Sequence, residues 1–246
     1  MHGFTQTAAC WSPVDDDLVS DHELALVDAP GHGGSSGVEA DLWGAAQAVT
    51  AAGGTGIYVG YSMGGRICLH AALADPESVR ALVLISATAG IDEVAERDAR
   101  RLADERLADH VLEVGVERFV DEWLAQPLFA TLAPDRAHRR ARLANTPEGL
   151  ASSLRTAGTG TQEPLWDRLG QLDVPVLAVA GQLDPTYVAL AERLVASIGT
   201  NAELAVVPGA GHTVHLERPE VFLGVVRTWL ARAQPETNRP TDSSSP

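Results

Sequence analysis

The sequence predicts a doubly wound α/β fold with a mostly parallel sheet and an inserted helical cap. Short apolar runs alternate with longer amphipathic stretches along most of the 246 residues, which is the pattern of buried parallel strands covered by helices. Between 91 and 166 the strand pattern stops, and charged segments rich in Ala and Leu replace it. We therefore predict a core formed by 1–90 and 167–233, with a helical cap at 91–166.

The individual strands and helices follow from the spacing of apolar residues. Apolar runs bounded by Gly, Pro or polar residues predict strands at 24–27, 57–59, 81–85, 174–180 and 202–207. Amphipathic stretches predict core helices at 39–52, 63–74, 187–198 and 217–232. The cap is predicted as four helical segments, 92–110, 113–125, 134–145 and 147–157. The segment 234–246 is rich in Pro, Ser and Thr, and we expect a disordered tail there.

A G-x-S-x-G pentapeptide, Gly60-Tyr61-Ser62-Met63-Gly64, joins the predicted strand at 57–59 to the helix at 63–74. Glycines around a serine let the chain turn sharply from strand to helix and expose the hydroxyl. The serine then lies at the helix N-terminus, where the backbone N–H groups and the helix dipole favour negative charge. Ser62 is therefore the candidate nucleophile.

A serine hydroxyl needs a histidine to take its proton and a carboxylate to orient that histidine. Asp184 follows the predicted strand at 174–180, and His212 follows the one at 202–207. The chain order Ser, Asp, His is that of α/β-hydrolases and differs from the chymotrypsin and subtilisin orders. The three residues together predict a catalytic triad of Ser62, Asp184 and His212.

Each member of the triad has a simpler interpretation when taken alone. Asp184 precedes Pro185 and could merely begin a turn, and His212 could be a loop histidine bonded to a carbonyl group. His212 and His215 form an H-x-x-H pattern, but no acidic or thiolate ligand accompanies it at a recognisable spacing. We predict no metal site and no cofactor.

Composition narrows the classes of function. The formal net charge of −15 argues against nucleic acid as a partner. No apolar stretch approaches the ~20 residues that span a bilayer, and the first residues lack a charged, apolar leader, so we expect a cytoplasmic protein without a membrane partner. Two cysteines, Cys10 and Cys68, imply no disulfide framework. All 18 basic residues are arginine, whose guanidinium groups suit carboxylates, although codon bias could explain this and is our default interpretation.

Several strings of the sequence carry a family resemblance across nearly the whole chain except its tail. They are His2-Gly3-Phe4, the run from Val27 to Ser35, Gly60 to Arg66, the cap string from Glu122 to Phe129, and Ala210-Gly211-His212 with His215. The chain resembles the α/β-hydrolase superfamily and, within it, the 2-succinyl-6-hydroxy-2,4-cyclohexadiene-1-carboxylate synthases of menaquinone biosynthesis. Arg66, together with the Trp-x-x-Gln-Pro-x-Phe string of the cap, is the most specific part of this resemblance.

The resemblance implies a lyase that removes a ring proton from an anionic small molecule and releases pyruvate. Ser62, activated through His212 and Asp184, would then act as a base toward carbon. The backbone N–H groups of Phe4 and Met63 would form the oxyanion hole that receives charge on the succinyl carbonyl.

The resemblance also implies that arginines of the cap and core bind the substrate carboxylates. Arg66 and Arg100 match family positions, although for Arg100 a solvated face is an equal alternative. Of Arg139, Arg140 and Arg142, whose register is open, we choose Arg142. Arg97 and Arg101 are expected on a solvated face, paired with Asp104 and Glu105. Tyr61 and Trp123 are expected to line the cavity, with packing in the core or an interface as the alternative.

The chain departs from the family pattern at two places. Where family members often have Asp-x-Lys-Phe, it has Asp184-Pro185-Thr186-Tyr187. In the superfamily, strands precede the His-Gly-Phe motif, and one of them lies between the strands predicted here at 24–27 and 57–59. We therefore expect a missing central strand, and our hypothesis is that Met1 is a misplaced start or that the chain is a truncated product with impaired folding.

Two other functions fit the same triad. One is a serine carboxylesterase or carbon–carbon bond hydrolase, and the other is a noncatalytic α/β-hydrolase fold that binds a small molecule. The filled catalytic positions disfavour the second. The sequence leaves the choice between a monomer and a homodimer open.

Overall fold

A parallel four-stranded sheet forms the centre of the computed structural model, which describes residues 1–233. Its strands are β1 (Gly56–Tyr61), β2 (Val79–Ile85), β3 (Val176–Gly181) and β4 (Ala202–Val207), and they lie in the order β1-β2-β3-β4. The predicted α/β class is confirmed, as are four of the five predicted strands. The expected tail at 234–246 lies outside the described residues.

Helices cover both faces of the sheet. The helices are α1 (Val14–Leu18), α2 (Leu42–Gly53), α3 (Met63–Ala74), α4 (Val94–Leu124), α5 (Arg139–Arg142), α6 (Pro147–Ala157), α7 (Pro185–Ile198), α8 (Val214–Glu217) and α9 (Pro219–Ala233). Short 3-10 turns occur at Ala8–Trp11, Gly33–Ser35, Pro127–Phe129, Pro134–Arg136 and Trp166–Gln171. No helix within residues 1–233 combines the length and the apolar character that crossing a bilayer requires.

The two faces of the sheet bury separate hydrophobic clusters because side chains alternate along a strand. Leu82 and Leu84 of β2 belong to a cluster with α2 and α3, whereas Val83 and Ile85 pack on the opposite face. That second cluster includes Trp229 of α9. Burial on both faces explains why β3 and, apart from the exposed Arg80, β2 are apolar.

The parallel register brings the carboxyl ends of the strands to one edge. Tyr61 at the end of β1 pairs with Ile85 at the end of β2, and Gly181 at the end of β3 pairs with Val207 at the end of β4. The loops that follow these strands therefore begin side by side, as expected for a ligand site in an open parallel sheet.

The cap is formed mainly by α4 and α6, which pack against each other around a small cluster containing Ala108, Val111 and Leu150. The two cap segments predicted at 92–110 and 113–125 are the two arms of α4, which bends at Gly115. Gly115 has a φ of 77° there, a conformation that glycine adopts readily. The segment predicted as helical at 134–145 is only a 3-10 turn followed by the short α5.

The prediction of a strand at 24–27 is wrong. The segment has no regular secondary structure, and a cavity of about 460 Å³ separates it from β1. At that edge of β1, the Met1 amino group donates to Val59 O (2.7 Å) and Tyr61 N donates to Met1 O (3.0 Å). Because this cavity lies between the two segments, 24–27 has no neighbouring strand to bond with.

Candidate active site

Ser62 lies on a tight turn between β1 and α3. Its backbone has a φ of 50° and a ψ of −110°, a sparsely populated conformation for a non-glycine residue. The turn requires small neighbours, because a Cβ on Gly60 would lie 2.6 Å from Gly64 C, and a Cβ on Gly64 would collide with the carbonyl oxygen of Met1. This is the geometry of a nucleophile elbow.

The structure brings the three predicted triad residues together. The Ser62 hydroxyl lies 3.3 Å from His212 Nε2, and His212 Nδ1–H donates to Asp184 Oδ2 at 2.8 Å. Asp184 is 8% exposed and His212 is 2% exposed, so water is largely excluded from the pair. The Ser86 hydroxyl, after β2, donates to the His212 carbonyl at 2.8 Å and fixes that loop. With the carboxylate on Nδ1, the free Nε2 lone pair can accept the serine proton.

The oxyanion hole predicted from Phe4 and Met63 adjoins the serine. Both residues line a cavity together with Ser62, and a Cβ on Gly3 would lie 3.5 Å from the Cβ of Ser62. Within residues 1–233, neither backbone amide has a hydrogen-bond partner. The two N–H groups are therefore available to an oxygen atom at the reaction centre.

Two buried neutral histidines hold the segment that carries Phe4. His2 Nδ1–H donates to Gly3 O, and its Nε2 accepts Ala29 N–H at 3.0 Å. His32 Nε2 accepts Thr5 N–H at 3.3 Å. Burial lowers the pKa of His32 to about 4 and that of His2 well below its ordinary value. Each ring thus keeps a lone pair to accept a backbone N–H at neutral pH.

Two cavities open on the triad. The larger, about 90 Å³, has a charged wall that includes Arg66, Arg100 and Asp104. The smaller, about 30 Å³, is bordered by Tyr61 and Arg142. Both are lined by Ser62, His212, Phe4, Trp123 and Leu128. A ligand that fills both would place its middle at the serine and its ends near guanidinium groups.

The model of the alpha/beta hydrolase family matches residues 1–225. The chain belongs to the α/β-hydrolase family. It is 37% identical to a Bacillus subtilis protein provisionally named 2-succinyl-6-hydroxy-2,4-cyclohexadiene-1-carboxylate synthase, over 94% of this chain and 88% of that protein. It is 30% identical to the synthase of that name from Salmonella typhimurium, over 89% of this chain and 87% of the other. The solved structure of MenH from S. aureus is similar with a TM-score of 0.88 and 30% identity, covering 96% of this chain and 93% of that one.

Arg66 of this α/β-hydrolase lies at the base of the larger cavity. Its Nη1 donates to Ala157 O at 2.8 Å and to Gln162 Oε1 at 3.4 Å, which ties the core helix α3 to the cap. Burial lowers the pKa of Arg66 to about 10, so the guanidinium stays charged at neutral pH. Its other nitrogens have no partner within residues 1–233 and remain free for an anion.

Arg100 also lines the larger cavity, and its partner is Asp104. Arg100 Nε donates to Asp104 Oδ1 at 2.7 Å, and Asp104 Oδ2 accepts Gly160 N–H at 3.1 Å. Asp104 is 1% exposed, and the i, i+4 spacing on α4 turns both side chains to the cavity. Asp104 thereby fixes the orientation of the Arg100 guanidinium group.

The expected pairing of Arg97 and Arg101 with Asp104 and Glu105 is wrong. Arg97 donates to Ile91 O at 2.8 Å, and Arg101 pairs with Asp98 at 3.2 Å. Asp104 faces inward, where Arg100 and the Gly160 amide reach it, and Glu105 pairs instead with Arg155 of α6 at 2.7 Å. Helical spacing alone could not show that Asp104 would face inward or that Glu105 would pair with Arg155 of α6.

Of the three arginines left open late in the cap, the fold places Arg142 beside Ser62. Arg142 is 1% exposed, its Nε donates to Ala137 O at 2.8 Å, and its Nη1 donates to the Thr5 hydroxyl. Its buried Nη2 has no partner within residues 1–233. Arg139 instead forms exposed ion pairs with Asp121 and Glu117.

Tyr61 and Trp123 both border the smaller cavity, as the sequence indicated. The Tyr61 ring packs 5.4 Å from that of His212, and burial raises the pKa of Tyr61 well above its ordinary value. The Trp123 ring packs 5.0 Å from that of Phe4, and its buried Nε1 lacks a partner within residues 1–233. Their roles toward a substrate remain predictions.

Sequence reasoning missed two residues of the site, Asp104 and Tyr187. Asp104 was interpreted as a surface partner, although its i, i+4 relation to Arg100 was a usable signal. Tyr187 was noted only as a departure from the family pattern. Its place three residues after Asp184, in the first turn of α7, could have located it beside the triad.

Proposed function

We propose that the chain is a 2-succinyl-6-hydroxy-2,4-cyclohexadiene-1-carboxylate synthase of menaquinone biosynthesis. The observation that carries the proposal is the placement of Arg66 and Arg100 on one side of Ser62 and of Arg142 on the other. The similarity to the named synthases, over most of both chains, supports the same function.

The substrate, 2-succinyl-5-enolpyruvyl-6-hydroxy-3-cyclohexene-1-carboxylate, defines the bonds that change. The proton on ring carbon 2 is acidic because it is adjacent to the succinyl carbonyl and to the ring double bond. When it leaves, the double bond moves to carbons 2 and 3, a second forms between carbons 4 and 5, and the bond from carbon 5 to the enolpyruvyl oxygen breaks. The enolate of pyruvate departs and takes up a proton on carbon to become pyruvate.

The triad supplies the base for this elimination. The Ser62 oxygen removes the ring proton while its own proton passes to His212 Nε2, and Asp184 stabilises the imidazolium through Nδ1–H. Negative charge develops on the succinyl carbonyl oxygen, which the N–H groups of Phe4 and Met63 stabilise. His212 then holds the proton that the departing enolate requires. No covalent bond to Ser62 forms.

The arginines explain why an anionic substrate enters a protein of net charge −15. Burying a carboxylate without a partner costs several kcal/mol, and a guanidinium offsets that cost through charge-assisted hydrogen bonds. Guanidinium groups at both ends of the combined cavity match a substrate with carboxylates on separate arms. The expectations of a cytoplasmic monomer or homodimer, with no nucleic-acid or membrane partner, remain part of this proposal.

The proposal is tested by incubating the purified protein with the succinyl-enolpyruvyl substrate and, separately, with p-nitrophenyl acetate. We expect rapid release of one pyruvate per substrate and negligible ester hydrolysis. Ester turnover without pyruvate release would instead establish the hydrolase. Fluorophosphonate labelling of Ser62 that is absent in Ser62→Ala would exclude the alternative of a noncatalytic fold that only binds a small molecule.

Replacing Arg66 with lysine should raise KM for the substrate about tenfold with a smaller change in kcat. Lysine keeps the charge but loses the planar fork that binds a carboxylate through two N–H groups. Steady-state pyruvate release measures the effect. The matched control is Arg155→Lys, because Arg155 lies on the outer face of α6 and pairs with Glu105 and Asp109. Equal KM values for the two variants would remove Arg66 from the binding site.

A further inference from the structure

Tyr187 contacts two residues of the triad and lines the larger cavity, each through a different group. Its backbone N–H donates to Asp184 Oδ1 at 3.2 Å. Its ring packs edge-on against the His212 imidazole, with the centroids 4.4 Å apart and the planes at 62°. The side chain then continues into the larger cavity, which it lines together with Arg66 and Arg100. The first two contacts support the triad, but neither uses the phenolic hydroxyl.

The hydroxyl of Tyr187 lies in the field of two guanidinium groups. Burial raises the pKa of this phenol, and the positive charges of Arg66 and then Arg100 oppose that shift. The proximity of the two side chains also affects Arg66: burial lowers its pKa, and Tyr187 opposes that shift. Within residues 1–233, no group accepts from or donates to this hydroxyl. A polar group so placed lacks a partner unless a ligand or water provides one.

The donors on this wall are only partly used by the protein. Arg66 Nη1 donates to Ala157 O and Gln162 Oε1, and Arg100 Nε donates to Asp104. Arg66, Arg100 and Tyr187 line the same cavity, and within residues 1–233 their remaining guanidinium nitrogens and the Tyr187 O–H have no hydrogen-bond partner.

Asp104 limits how much charge this wall can offer to an anion. Its buried carboxylate offsets one of the two guanidinium charges. Arg100 and the Gly160 amide bind this carboxylate, which reduces its repulsion of a ligand carboxylate. A neutral hydroxyl donor strengthens the site without adding a charge that must itself be buried.

We propose that Tyr187 is a specificity-determining residue whose hydroxyl donates a hydrogen bond to a substrate carboxylate held by Arg66 and Arg100. The inference rests on the proposed function for the identity of the substrate. The anionic subsite itself is defined by these three side chains and is testable with a simple dicarboxylate, whichever reaction the triad performs.

The test is protection of Ser62 from fluorophosphonate labelling by succinate, in the wild type and in Tyr187→Phe. Phenylalanine keeps the backbone hydrogen bond to Asp184 and the ring contact with His212, and protection is expressed relative to each protein's own labelling rate without succinate. The succinate concentration that halves the rate should rise roughly 10- to 150-fold, the loss expected for one hydrogen bond to a charged group. The control is Tyr58→Phe, whose hydroxyl bonds to Gly54 O, away from the cavity.

The outcomes separate this inference from the proposed function. Equal protection of the wild type and Tyr187→Phe, or no protection of the wild type by succinate, would overturn the role of the hydroxyl. A raised KM for pyruvate release with unchanged kcat in Tyr187→Phe would support it, and a lowered kcat with unchanged KM would contradict it. Absence of pyruvate release by the wild type would refute the synthase function but would leave the succinate result standing.

Discussion

Ser62→Ala is expected to lower kcat for pyruvate release by about 10³-fold or more while changing KM little. The variant removes the oxygen that accepts the ring proton, and general base catalysis of this kind contributes about 10²- to 10⁴-fold. His212 Nε2 lies 3.3 Å from the Ser62 hydroxyl, so the variant also removes the group through which the imidazole acts on the substrate. The guanidinium groups that bind the carboxylates remain in place, so substrate affinity should persist.

A coupled assay for pyruvate and a binding measurement test this expectation together. Ser20→Ala is the control, because its exposed hydroxyl only bonds to Asp17 and Asp21 near the surface. Retention of more than a tenth of the wild-type kcat in Ser62→Ala would contradict a role for this serine in proton removal. Loss of substrate binding along with activity would point to a distorted elbow instead.

The protein is expected to lose stability steeply between pH 6.5 and about pH 4. Four histidines are buried and neutral in the fold, and burial lowers the pKa of each; they are His2, His32, His70 and His215. For His32 and His70 the pKa falls to about 4. In this window the unfolded chain binds protons that the folded protein does not, so unfolding becomes more favourable as the pH falls. Each such group contributes about 1.4 kcal/mol per pH unit.

Urea unfolding at pH 7.5, 6.5 and 5.5 measures how the free energy of unfolding depends on pH. The His70→Asn variant measures the part of this dependence that His70 contributes. His70 Nδ1–H donates to Arg66 O at 2.7 Å, a bond that the asparagine amide can retain. The variant should therefore show a shallower dependence of the unfolding free energy on pH, by about 1.4 kcal/mol per unit below pH 6.5. His22→Asn, at the surface beside Asp21, is the control variant. An identical slope in His70→Asn would refute the account.

The triad was accessible to sequence reasoning because its signals are local. Ser62, Asp184 and His212 each follow an apolar run by a few residues, and parallel strands end at the same edge of a sheet. The elbow adds glycines that the turn itself requires. Each inference needed only neighbouring residues and one topological rule.

The remaining features depend on contacts between distant segments. Residues 24–27 have the composition of a strand, but a strand also needs a neighbour to bond with, and a cavity lies there instead. Arg142 is distinguished from Arg139 by contacts with Thr5 and Ala137, which the fold brings together. Asp104 turns inward because the Gly160 amide meets it. None of these partners is visible from spacing along the chain.

The most direct test of the central claim is a single-turnover measurement of pyruvate release from substrate carrying deuterium on ring carbon 2. If Ser62 removes that proton as the bond to the enolpyruvyl oxygen breaks, pyruvate should appear several-fold more slowly from the deuterated substrate, and intact-protein mass spectra should show no adduct on Ser62. Equal rates for the two substrates, accompanied by a covalent intermediate on Ser62, would contradict the account.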